Sequence, residues 1–188
     1  MGIATTKETD MKTVKVFVLA LAALGALAAL NGCTDESSRN ILQVVSVNDG
    51  LVYYSDLVTD SGSVVADEVL VKVTNIPNDG GPALAPGTPF SQIIITGYTV
   101  TFDNGVYPAV SGGVTGVVNS GETAEFSIAL TNIADKAALS AFIATSTTAR
   151  ITLSGFNHIN GGNNGDGVTA RASLPVQVAN FNDADIQN

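Results

Sequence analysis

Tryptophan is absent, cysteine and histidine occur once each, and only 13% of the 188 residues are charged. One cysteine cannot build an internal disulfide framework. With 45% hydrophobic residues, so little charge also excludes a disordered polyelectrolyte, and the chain is expected to fold. Basic residues are scarce as well: eight Lys and Arg stand against seventeen Asp and Glu, a formal net charge of −9. Such a chain lacks the cationic surface that neutralises phosphates, so no nucleic-acid partner is expected. There is no G-x-S-x-G elbow, no H-E-x-x-H pair and no G-x-x-x-x-G-K-[ST] phosphate loop. Any Ser-His-Asp arrangement has only His158 to use as base, and His158 sits in a stretch rich in Asn and Gly. The chain is therefore read as non-enzymatic, with no catalytic, cofactor-binding or metal residue assigned and no cofactor. Long apolar runs are missing too, with one exception. Val16 to Leu30 is unbroken for 15 residues, short of the roughly 20 that a helix needs to cross a bilayer.

What that run does fit is an export signal. Lys12 and Lys15 precede it as a basic n-region, and it ends in Leu30-Asn31-Gly32-Cys33. Here the sequence resembles a bacterial lipoprotein precursor, whose lipobox has an aliphatic residue, two small residues and a cysteine. Leu30, Gly32 and Cys33 match, and Asn31 departs from the usual Ala, Ser or Thr. The resemblance covers the first 33 positions. It implies cleavage before Cys33, a diacylglycerol on the Cys33 thiol, acylation of the new amino terminus, and a membrane partner reached through that lipid. A lone cysteine in an exported chain would otherwise be a free reactive thiol. Each buried CH₂ contributes about 0.8 kcal/mol, and two or more acyl chains give lasting attachment. The alternatives are an ordinary signal cleavage site near Cys33 or a buried helix.

These readings divide the chain into a signal peptide (1–32), a lipidated polar tether (33–40), one β-sandwich domain (41–182) and a short tail (183–188). Met11-Lys12-Thr13-Val14-Lys15 is by itself a compact n-region, so translation from Met11 rather than Met1 is a second option. From Cys33 onward five basic side chains face fifteen acidic ones, a side-chain charge of −10. That charge repels an anionic membrane, leaving attachment to the lipid. The resemblance further implies that Asp directly after the cysteine favours the inner membrane. Thr34 stands there, which favours the outer.

From Ile41 onward the apolar period is two, as in half-buried strands. Val69, Val71 and Val73 oppose Leu70, Lys72 and Thr74. Tyr98, Val100 and Phe102 oppose Thr99 and Thr101. Ala124, Phe126, Ile128 and Leu130 alternate with Glu125, Ser127, Ala129 and Thr131, and Ala149-Ile151-Leu153 and Ala170 to Val178 follow the same rule. Turn chemistry separates these runs at Asn48-Asp49-Gly50, Asn78 to Gly81, Asn104-Gly105, Asn119 to Gly121 and Asn160 to Gly167. Asn104-Gly105 is read as a type I′ hairpin. Seven to nine short strands predict an all-β fold, an antiparallel two-sheet sandwich of immunoglobulin-like architecture, with a closed barrel as the alternative. Asn132 to Ile143 predicts one short crossover helix near 133–143, capped by Asn132. Pro175 lacks an N–H, which marks its strand as an edge or as bulged. Ile76 to Pro89, with four prolines, reads as a long connection.

Three features invite a functional reading. Asn157 to Gly167 is oxygen-rich and could wrap calcium, but aligning Asp166-Gly167 to an EF-hand loop puts Gly162 and Ser173 where Asp and Glu are needed. A carboxylate from Asp56, Asp60, Asp67 or Asp79 could join it in the fold; otherwise it is a hairpin loop. Tyr53, Tyr54, Phe90, Tyr107 and Phe181 could stack on a glycan, although adjacent Tyr53 and Tyr54 must point to opposite faces. Asp67-Glu68 reads as a solvated turn. The leading expectation is a lipid-anchored, cell-envelope sandwich that presents an interaction surface to a protein partner, with Val168 to Ala179 as the edge. The alternative is a calcium- or glycan-binding surface module. A hydrolase built from two carboxylates in a concave pocket is the third option.

Overall fold

The computed structural model describes residues 40–78, 81–85, 88, 90–139, 144–158 and 164–181, all within the unit Ser38–Asn188. Cys33, the signal peptide, the rest of the tether and the 183–188 tail lie outside the described residues. Among the described residues eight strands form in chain order: β1 (Asn40–Val47), β2 (Tyr53–Asp56), β3 (Glu68–Pro77), β4 (Gln92–Phe102), β5 (Val110–Asn119), β6 (Thr123–Ala129), β7 (Thr145–His158) and β8 (Asn164–Ala179). They make two sheets, ordered β1-β3-β6 and β2-β8-β7-β4-β5. The chain changes sheets at every step from β1 to β4 and again on either side of β6, while β4–β5 and β7–β8 are neighbours within one sheet; β1 pairs with β3, and β2 runs parallel to β8. This is the immunoglobulin-like order, and β2–β8 is the one departure from antiparallel pairing among the named strands.

The period-two reading puts the core where the structure has it. Val69, Val71 and Val73 from one sheet meet Ile93, Ile95, Val100, Ile151, Leu153 and Leu174 from the other, all buried. Bulges correct the phase where a strand would otherwise turn its apolar side outward. In β4 the register shifts between Ile95 and Gly97, so the inward positions change from odd (Ile93, Ile95) to even (Tyr98, Val100, Phe102). In β1 a shift between Val44 and Ser46 moves the inward set from Leu42 to Val47. An extra residue in one strand does this at the expense of one ladder position. Opposite the β4 bulge lies Gly155, where a Cβ would stand 2.3 Å from the carbonyl oxygen of Ile94. Only glycine fits there.

Three local expectations are refined. The crossover between sheets contains α1 (Ile133–Ala137), and Asn132 caps it, its side-chain oxygen accepting from the Asp135 N–H at 2.8 Å. The expected helix near 133–143 is shorter as described, since Ala138 and Leu139 lie past its end; 140–143 lie outside the described residues. Asn104-Gly105 is not a type I′ turn: Gly105 alone has positive φ (+65°), and the connection 103–109 is too long for one. Asn104 instead accepts from the Val106 N–H and donates to the Ser146 carbonyl, a local Asx arrangement that competes with the two-residue turn. Ile76 and Pro77 belong to β3, so the connection before β4 starts later than expected.

Pro175 shows no bulge. It pairs with Thr148 of β7, and β2 joins β8 only from Tyr53↔Val176 onward. The free edge of β8 is therefore Asn164–Pro175. The stretch read as the edge, Val168 to Ala179, is corrected at its far end, where β2 covers Val176–Ala179.

Candidate functional site

The sandwich has two chemically different ends. At the end where Asn40 begins β1 lie the starts of β4, β6 and β8 and the ends of β3, β5 and β7. Asn40 and Asn157 are both buried here and bonded to each other, Nδ2 to Oδ1 at 3.4 Å. Asn40 also donates to the Phe90 carbonyl, and the Phe90 N–H donates to the His158 carbonyl. Asn75, fully buried, donates from its side chain to the Val118 carbonyl and accepts the Gly121 N–H through its own. These amides stitch the connection before β4 to both sheets.

At the opposite end, Asp67 is buried, which corrects its reading as a solvated turn. The residue precedes β3, and its carboxylate collects donors from β2, α1 and the segment just past β6. Lys136 of α1 reaches Oδ1 at 2.8 Å, with the two side chains 2% and 7% exposed. Ser55 of β2 donates to Oδ2 at 2.6 Å, and Thr131, just past β6, donates to Oδ2 at 2.8 Å. Ser55 has one proton, spent on Asp67, so the Tyr107 hydroxyl 2.7 Å away donates to Ser55. The main chain closes the circuit: the Asp67 N–H donates to Thr131 Oγ1 and its carbonyl accepts from Leu130 N–H. Burial, with the Asp67 charge adding to it, pushes the Tyr107 hydroxyl up to about 12, although its bond to Ser55 works the other way. Tyr53 is raised still further for the same first reason.

A serine beside a carboxylate and a lysine has the ingredients of an activated nucleophile, yet Ser55 is 1% exposed and its hydroxyl is engaged by both Asp67 and Tyr107. What the arrangement does is fasten the crossover helix and β2 to the start of β3. No sequence spacing pointed to it, since Asp67 and Lys136 are 69 residues apart. The one signal was the scarcity of basic residues, which makes each lysine worth following.

The residues singled out from sequence are scattered by the fold. His158 is half-buried at the end of β7 and Asp166 half-buried near the start of β8; 159–163 lie outside the described residues. Asp56 pairs in register with Ala179 at the far end of β8, thirteen residues from Asp166 and so about 40 Å away at strand rise. Asp56 and Asp67 therefore cannot join the 157–167 loop. Asp60 is exposed in the connection after β2, and Asp79 lies outside the described residues. Among the described residues no three of His, Cys, Asp and Glu come close enough to share a metal ion. Tyr53 is in the core and Tyr54 on the other face, edge-on to Phe181 at 5.5 Å; Tyr107 packs on Phe102 at 5.2 Å. Tyr53 and Tyr107 are buried, so neither is an open stacking platform, while Tyr54, Phe90 and Phe181 are half-buried.

Two depressions flank β8. The larger, about 750 Å³, lies between Ile41–Val44 of β1 and Thr169–Arg171 of β8. Each of these two segments has a sheet partner on one side only. The smaller, about 310 Å³, is on the outer face between Arg150 and Arg171, beside Thr101, Thr152 and Ser173. Neither is lined by an acid. Arg150 is held by Asp103, whose carboxyl that bond lowers below its usual range. Among the described residues Arg171 has no acid within 4.0 Å, whereas Lys72, Lys136 and Arg150 do.

No protein-family model and no curated protein matches this chain. Among solved structures it is similar to a solution structure described as that of a late embryogenesis abundant (LEA) protein. The identity is 10%, the coverage 97% of this chain and 96% of that one, and the TM-score 0.45. A likeness of that size carries no argument about what this chain does.

Proposed function

We propose that the protein is a lipid-anchored component of the bacterial cell envelope, exported, acylated at Cys33 and held at the outer membrane, whose sandwich works by contact with another envelope protein and not by catalysis. The address rests on the order of basic start, short apolar run, small residue and sole cysteine in the first 33 positions. Residues 34–39 can span about 20 Å when extended. The tether joins the sandwich at its Asn40 end.

The observation that carries the contact reading is the open margin between β1 and β8, where two strand edges stand without sheet partners. Natural sheets blunt or cover such edges, because unpaired N–H and C=O groups recruit other strands. Strand addition at an open edge is a recurrent mode of recognition. The buried Ser55, Asp67, Lys136 set supports the non-catalytic part, since no substrate can reach it.

Fractionation of cells making the protein from its own start tests the address. The wild-type chain is expected in the membrane fraction, released only by detergent, with globomycin causing precursor to accumulate. Cys33→Ser should abolish both behaviours. Wild-type protein recovered in the soluble fraction would reject the anchor.

A further inference from the structure

We propose that the free edge of β8, Asn164–Pro175, takes an extended partner segment by strand addition, and that the segment carries a single carboxylate which pairs with Arg171. This deepens the contact reading above and rests on it.

The edge is ready for a strand. β8 has β7 on one side along this whole stretch and no sheet neighbour on the other until Val176, so alternate backbone N–H and C=O groups face outward. Between Val168 and Leu174 there is no proline, lysine or bulge to blunt it. The opposite margin is treated differently. There the Phe126 ring lies against the Gly116 backbone, and the Tyr98 hydroxyl accepts from the Ala129 N–H at 3.2 Å, joining the sheets. The β1–β8 margin keeps an open depression of about 750 Å³.

The lining specifies the partner's chemistry. Leu42, Val44 and Ala170 point inward and form an apolar floor, while Gln43, Thr169 and Arg171 point outward along the rim. A strand laid on the edge places alternate side chains on the floor and the others beside the rim. Arg171 is exposed, lines both depressions, and among the described residues is the one basic side chain with no acid within 4.0 Å. On a chain of net charge −9 a run of acids would be repelled. One carboxylate opposite Arg171, among alternating apolar residues, satisfies both conditions and fixes the register.

The probe is the peptide Val-Thr-Val-Glu-Val-Thr-Val and its twin with Gln in place of Glu, added to the mature protein and read by amide hydrogen exchange and by calorimetry. The Glu peptide is expected to slow exchange along 165–175, and the Gln peptide to bind at least tenfold more weakly. Arg171→Glu should reverse the preference toward a Lys-centred peptide while leaving the circular dichroism unchanged. Absence of protection on β8 at millimolar peptide would overturn strand addition. Equal affinity of the Glu and Gln peptides would overturn the role of Arg171. Self-association of the protein through the same amides, seen in sedimentation without peptide, would replace the partner with a second copy. None of these readouts involves the lipid, so failure here is distinguishable from failure of the anchor.

Discussion

Asp67 shows how a single residue can contradict its sequence context. Next to Glu68 and ahead of an apolar run it reads as a solvated corner, yet it is buried, with Lys136, Ser55 and Thr131 on its carboxylate. Sequence could not reveal this because burial of a charge is decided by partners, and these come from positions 12 to 69 residues away. Removing one member strands the other charge in a dry site. Asp67→Ala is expected to cost about 3–5 kcal/mol in urea unfolding, and the double variant Asp67→Leu, Lys136→Met distinctly less, since no unpaired charge is left behind. Tyr107 adds a pH signature. Its folded-state pKa, about 12, lies above the ordinary 10, so the folded protein holds this proton more tightly than the unfolded chain. The associated stability is whole below pH 10 and is lost as pH rises from 10 to 12. Tyr107→Phe should flatten that part of the stability profile, which alkaline denaturation measured pH by pH will show.

At the scale of elements, what is governed locally was legible and what needs a neighbour was not. The Asn132 cap is a local competition between a side chain and the first turn, and it appears as read; Asn132→Ala should cost about 1 kcal/mol in the same unfolding measurement. Alternation identified the inward faces of β3, β6, β7 and β8 because a strand's side chains have no other period. The phase changes in β1 and β4 were not visible, since a bulge inserts a residue without changing the composition of the run. Gly155 is the clearest trace of one: it faces the β4 bulge with no room for a Cβ. Gly155→Ala is expected to destabilise by about 1–3 kcal/mol through forced displacement of β4, whereas Gly113→Ala, with open space at its Cβ, should be far milder. Comparing their urea midpoints separates steric exclusion from a general intolerance of alanine in strands.

For the whole molecule, composition and periodicity were enough for an all-β two-sheet sandwich with a crossover helix, because a chain with one cysteine and this many alternating segments must bury two sheet faces against each other. Which margin stays open was not readable. It depends on β2 running parallel to β8 and stopping at Val176, a long-range pairing that leaves Asn164–Pro175 exposed. The same pairing separates Asp56 from the 157–167 loop. The proposed division of labour is the tether at the Asn40 end, the Asp67 network closing the opposite end, and the β8 margin for a partner. All of it presumes that the chain is tied down at Cys33. The most direct test is intact mass spectrometry of the mature protein purified from membranes. The account expects a chain beginning at Cys33 and heavier than its sequence by a diacylglyceryl group and an amide-linked acyl chain. A mature polypeptide whose Cys33 carries a bare thiol would contradict it.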